Sequence, residues 1–188
     1  MSNTPRRCLA RNCVSRDTSE PHRQEIPQYH VWAIQTPLLV DEELGELRRS
    51  GGLWRGNLRI LSDRAVPIAI SGSRAAPDPR ALELARTIKG DFPSWQPLIG
   101  AALFEHYAPY AEAIRVGEET SPGPSFPAIT DSSSVWSHAT IEYASVIPLS
   151  GELTIEIGLR TAWDEEHTLG ARIEHGKLIE LCGSVLAP

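Results

Sequence analysis

Asp164, Glu165, Glu166 and His167 stand together in "TAWDEEHTLGARIEHGKLIEL", residues 161–181, between a tryptophan and a glycine. Two carboxylates and an imidazole are a donor set for a hard or borderline divalent cation, and the same groups serve hydrolases as general acids and bases. Spacing limits what they can do. In an extended chain Asp164 and Glu166 point to one face and Glu165 and His167 to the other, so a site built from Asp164, Glu166 and His167 needs a turn here. The competing reading is structural: an acid-rich turn in which Asp164 accepts backbone N–H groups and His167 packs beside Trp163. The structural reading is favoured, because no second ligand cluster accompanies the first.

Other arrangements carry less. Glu105 and His106 are neighbours on a helical pattern and diverge by about 100° of arc, so they do not both serve one point. A pair of carboxylates facing each other across a substrate has no support in the spacing. The "SGS" at Ser71–Ser73 follows a strand but leads into "RAAPDP", not into a helix that starts at the serine, so it is no nucleophile elbow. Cys182 lies on a strand pattern, where a small buried thiol is ordinary. The glycines at 51, 52 and 56 belong to a meander turn and make no phosphate-binding loop.

Composition narrows the class. The chain has 188 residues, 24 acids against 18 Lys plus Arg, and a net charge of −6, which disfavours a nucleic-acid binder that must meet phosphates with a basic surface. No apolar run reaches the roughly 18 residues of a membrane span. Three cysteines, Cys8, Cys13 and Cys182, make neither a disulfide framework nor a zinc quartet. The expectation is a soluble protein of a reducing cytoplasm, with no nucleic-acid or membrane partner.

Positioning elements are legible in the periodicity. Residues 1–27, rich in arginine and poor in apolar pattern, read as a disordered tail, with residues 28–188 as one domain. A strand is expected at Tyr29–Ile34 and another at Leu44–Arg48. "LWRGNLRIL" then alternates, and Val66, Ile68 and Ile70 repeat the alternation; a three-residue loop, Ser62 to Arg64, would pair Ile60 with Val66 and Leu58 with Ile68. Asp78, Pro79, Lys89 and Gly90 punctuate a helix over residues 79–89. A second helix is expected from Ser94 to Arg115, with Ile99, Leu103, Tyr107, Tyr110 and Ile114 on one face and a kink or break at Pro109.

Glu118–Pro127 reads as a loop, and a turn is expected near Asp131–Trp136. Strands follow at Thr140–Ile147 and along Leu153, Ile155, Ile157 and Leu159. A last pair flanks "EHG", where a three-residue loop with Gly176 at a bulge would set Ala171 against Ile179 and Leu169 against Leu181. Trp54 belongs to the core set; Trp32, Trp95 and Trp136 are not placed, and an exposed one would suit a partner. The pattern predicts an α+β domain: a largely antiparallel sheet built from an N-terminal and a C-terminal meander, with two helices between them packed on one face.

"ALFEHYAPYAEAIR" at 102–115, "VWSHATIEYASVIPL" at 135–149 and "WDEEHTLGARIEHGKLIELCGSV" at 163–185 resemble an uncharacterised, mainly bacterial domain family with an aromatic-rich helix and a W-D-x-E-H-x-L-G strand pair. The resemblance runs from about Leu44 to the C-terminus and brings no activity with it. Small bacterial α+β domains of this kind are associated by context with immunity and toxin systems. The resulting expectation is a non-enzymatic, immunity-like protein-binding module, with no catalytic residue, cofactor or bound metal. Its partner would be a basic protein, met at Trp163, Asp164 and Glu165. The alternative is a metal-dependent hydrolase using Asp164, Glu166 and His167.

Overall fold

The computed structural model describes residues 37–61, 64–117 and 126–188. The chain divides into two units, Met1–Ile34 and Gln35–Pro188, and the described residues belong to the second. The tail expected over residues 1–27, the strand expected at Tyr29–Ile34, and Cys8, Cys13 and Trp32 all lie outside them.

Eight strands form one sheet in chain order: β1 (Leu38–Asp41), β2 (Gly45–Ser50), β3 (Leu53–Leu58), β4 (Val66–Ile70), β5 (Ala139–Leu149), β6 (Glu152–Thr161), β7 (Thr168–Glu174) and β8 (Lys177–Cys182). Every neighbouring pair is antiparallel except β4 and β5, which run parallel. A parallel neighbour cannot be reached through a tight hairpin. The connection is made by one helix, α1 (Pro79–Val116), and a short 3-10 helix, Ser134–Ser137.

Register shows how the two faces divide. Trp54, Ile70, Val146, Ile155, Ile173 and Leu178 are successive cross-strand partners, and Ile68, Ala144, Ile157, Ala171 and Leu181 form the row beside them. Both rows belong to the core cluster or pack against it, together with the buried residues of α1. On the other face a single row crosses all eight strands: Leu38, Arg48, Arg55, Ala69, Ser145, Glu156, Arg172 and Glu180. Three of its polar members, Glu156, Arg172 and Glu180, are linked to one another. Glu156 is buried and accepts from Tyr143 Oη at 2.8 Å and Arg172 Nε at 2.9 Å, while Arg172 Nη1 donates to Glu180 at 2.7 Å. The Tyr143 ring lies over Gly158, where a Cβ would come within 2.1 Å of it.

Two helices were expected and one forms. Asp78 caps it through Oδ1, which accepts from Arg80 N and Ala81 N, and Pro79 takes the first helical position, as the residues indicate. The stop assigned to Gly90 is absent, and the left-handed residue after the last turn is Gly117, at φ 75°. The reason is the buried stripe. Ala81, Ala85, Ile88, Phe92, Trp95, Ile99, Leu103 and Tyr107 continue through Gly90 at spacings of three and four without losing phase, so packing on the sheet overrides the local break. Pro93, Pro97 and Pro109 lie inside the helix and are exposed, as are Lys89, Pro93 and Glu105, whose carbonyls they leave without a donor. Water can serve those carbonyls. Pro109 therefore does not end the helix.

Two expected registers shift. Leu58 pairs with Val66 and Gly56 with Ile68, because the β3–β4 connection is longer than the three-residue loop expected. The displacement is even, so the inward faces survive it. At the last hairpin the turn has two residues, His175 and Gly176, both at positive φ (50° and 74°), between partners Glu174 and Lys177. That is the geometry of a type I′ turn. The bulge lies in the strand instead: Ile173 faces Leu178 but Arg172 faces Glu180, which leaves Ile179 unpaired and exposed. Leu178 and Leu181 are three residues apart and both pack on the core, which a strand of period two allows only with one extra residue. The same device appears in β5. Ile141 and Ala144, also three apart, both reach the core across a bulge at Glu142.

Candidate functional site

The loop from Ala162 to His167 turns at the end of β6, beneath the C-terminal half of α1. It is a turn, not a continued strand. Asp164 Oδ1 lies 2.9 Å from His167 Nδ1 and accepts the His167 backbone N–H at 3.2 Å. Asp164 Oδ2 accepts from Tyr110 Oη at 3.1 Å. Trp163 is 4% exposed; it donates from Nε1 to His106 Nδ1 at 3.1 Å and meets the Tyr107 ring edge-on at 5.5 Å. His106 and Tyr110 are four residues apart and so share one side of α1, with ring centroids 5.4 Å apart.

Burial alone pushes the Asp164 carboxyl upward, but the hydrogen bonds from His167 and Tyr110 outweigh it and hold the group below its ordinary value. His106 is depressed, chiefly by desolvation and further by His167, against the pull of Asp164. A neutral His106 keeps the lone pair on Nδ1 that Trp163 uses. Tyr107 is satisfied as well: its hydroxyl donates to Pro127 O at 2.8 Å and accepts from Ile129 N at 3.3 Å.

Of the three residues considered for a metal, Asp164 and His167 come together and Glu166 stays on the exposed side of the turn. Among the described residues no group of three His, Cys, Asp or Glu side chains is placed to hold a metal ion. The proposed triad fails on geometry, because the turn that joins the first and fourth residues sends the two between them outward. Of the residues considered for a partner, Trp163 and Asp164 are buried and Glu165 is exposed.

His106 and Tyr110 were not foreseen as part of this cluster. Tyr110 was placed on the core stripe, and only the four-residue spacing from His106 hinted at a shared task. Glu105 is exposed and takes no part, as the divergence of adjacent helical residues requires. Trp95 and Trp136, left open by the sequence, are taken up inside the domain. Trp95 Nε1 donates to Gly176 O at 3.1 Å, and Trp136 packs edge-on against Phe92 at 5.8 Å, with Gly100 leaving room for its indole.

The loop and the helix segment that meet here belong to two of the three stretches that carry the family resemblance. Residues 43–185 match the family described as "Domain of unknown function (DUF6985)". The chain belongs to that family. No curated protein and no solved structure matches it. The contact between "EHYAPY" of α1 and "WDEEH" after β6 is thus internal to the family domain, and β1 lies before its matched part. Among the described residues no helix is long and apolar enough to cross a membrane.

Proposed function

We propose that this domain is a non-enzymatic protein-binding module, immunity-like in its use of an acidic surface, and that the tip of the β6–β7 turn meets a basic partner in the cytoplasm. One observation carries the reading. The turn is fastened from beneath by Trp163 and Asp164, each bonded to α1, while Glu165, Glu166 and His167 stand exposed above them. Side chains held on a rigid support lose little freedom on binding, which favours recognition by a few charges. The hydroxyl, indole and carboxylate of the supporting cluster are already bonded within the domain and present no open position to a substrate.

The test is capture of partners by the full chain, compared with the double variant Glu165→Lys/Glu166→Lys and with Glu83→Lys, an exposed acid on α1 far along the chain. The expected result is a basic protein retained by the native chain and by Glu83→Lys, released by added salt, and lost from the double variant. Equal retention by the double variant overturns the reading.

A further inference from the structure

Gly158 and Gly170 are partners on adjacent strands, and with Tyr143 of β5 and Cys182 of β8 they make one row on the sheet face opposite α1. Two glycines side by side leave a trough there. The Tyr143 ring fills the half over Gly158, and the Val185 side chain fills the half over Gly170, where a Cβ would come within 2.8 Å of it. Val185 belongs to the segment after β8, residues 183–188, which turns back across the sheet. Val185 N donates to Thr168 O at 2.8 Å, and Arg55 Nη1 of β3 donates to Pro188 O. Between these anchors, Ala187 and Pro188 border a cavity of about 270 Å³ together with Pro67 and Ala69 of β4 and Tyr143 of β5. The segment therefore crosses the parallel seam and ties the two meanders together.

The two ends are fixed and the middle is loose. Tyr143 Oη has one proton, which goes to Glu156 at 2.8 Å, so its 3.4 Å contact with Leu186 O adds little. Leu186 is 89% exposed and Ala187 is exposed, whereas Val185 and Pro188 are half-buried. The sheet thus reads an extended backbone that offers a small aliphatic side chain and, three residues on, a proline. A proline suits such a place, because its fixed φ leaves it little freedom to lose. At the root of the segment Ser184 stands at φ 60°, a left-handed conformation that a serine adopts at a cost a glycine avoids. Release of the segment relieves that strain.

We infer that the trough is a docking groove for an extended segment of the form Val-x-x-Pro, and that residues 183–188 occupy it as an autoinhibitory clip. Gly170 supplies the space for the aliphatic side chain, and Arg55 supplies the donor for the carbonyl at the proline. Both are taken while the clip is closed. Being part of the same chain, the clip acts at a high effective concentration, so a few contacts suffice to hold it and to exclude a segment of the same chemistry from outside. An incoming segment binds only in the fraction of molecules whose clip is open.

The test uses the full chain and has two arms. In native-state hydrogen exchange the Val185 amide should exchange at least about a hundredfold faster than the slowest amides of β6, which reports opening of the clip without unfolding. Equal rates would mean that the clip leaves only when the domain unfolds, and would overturn the inference. In the second arm the peptide Gly-Ser-Val-Leu-Ala-Pro, with blocked termini, is titrated by NMR into the native chain and into Val185→Ser/Pro188→Ser. The double variant should bind it at least about tenfold tighter than the native chain, with shifts at the amides of Gly170 and Arg55. A peptide with serine in place of its valine and proline should bind neither. Adding Gly170→Ala to the double variant, or Arg55→Ala where circular dichroism shows that Gly170→Ala does not fold, should weaken binding about tenfold or more. Equal affinity of the native chain and the double variant, no binding by the double variant, equal binding of the serine peptide, or binding that survives these substitutions overturns the inference.

Discussion

The two flanks of the β6–β7 turn hold similar residue types and use them in opposite ways. Toward α1, His106, Tyr110, Trp163, Asp164 and His167 bond to one another. Toward the start of β5, Ser137, His138, Thr140 and Arg160 surround an open cleft, and among the described residues the ion pair of Arg160 with Glu142 is the charge contact there. Burial separates the cases. A polar group removed from water costs free energy unless it is bonded, so the inward flank must be complete within the chain. The outward flank is wet, and it can leave its donors for something else. Residue type alone does not decide how such groups are used; burial does.

The sharpest way to break the comparison is Trp163→Ala. It removes a buried indole, its bond to His106 and its packing on Tyr107, and it should cost about 3–5 kcal/mol in chemical denaturation. Arg160→Ala, on the other flank, should move the same midpoint by no more than about 0.5 kcal/mol. Similar losses from both would erase the distinction.

Asp164→Ala comes next. It leaves the Tyr110 hydroxyl and the His167 backbone N–H without their acceptor and should cost about 1–3 kcal/mol. A double-mutant cycle with Tyr110→Phe should return a coupling of at least about 0.5 kcal/mol, and additivity would show that the bond adds nothing.

The smallest expected effect is a dependence on pH, and its sign follows from two depressed groups. Asp164 lies below its ordinary 3.8, so its contribution is present above that pH and lost as pH falls through the folded value. His106 lies below its ordinary 6.5, so the unfolded chain takes up that proton first, and stability declines as pH falls from 6.5 toward the folded value. Denaturation midpoints should therefore fall on acidification from neutral pH, less steeply in His106→Gln. An unchanged slope in that variant would remove His106 from the account.

Much of the fold was legible because it follows from alternation. The inward sets of β3, β4, β6 and β7, and the cap at Asp78, are local properties of the chain. The single helix was not legible. Gly90, Pro93 and Pro97 are local signals for a break, and the argument against them is a stripe that has meaning only once the sheet beneath it exists. The bulges were half legible, since the sequence calls for an extra residue in the last hairpin and assigns it to the turn at Gly176, whereas it lies in the strand at Ile179. Around Asp164–His167, the sequence weighed a turn against a continued strand without choosing between them. His106 lies 57 residues from Trp163 in the chain, and its Nδ1 became an acceptor for that indole only through tertiary packing.

The parallel seam between β4 and β5 also bears on how the chain folds. Within β1–β4 and within β5–β8 each strand meets the next through a short connection, so both meanders are made of near neighbours. Ile70 and Val146, partners across the seam, are separated by the whole of α1 and the segment after it. Joining them carries the largest loop-closure entropy of any strand pairing in the sheet. The two meanders should collapse early, and the rate-limiting event should be their union over the face of α1. A weakened seam, as in Ile68→Ala, would then slow refolding, whereas the type I′ turn at His175 and Gly176 would govern only how fast its own hairpin closes.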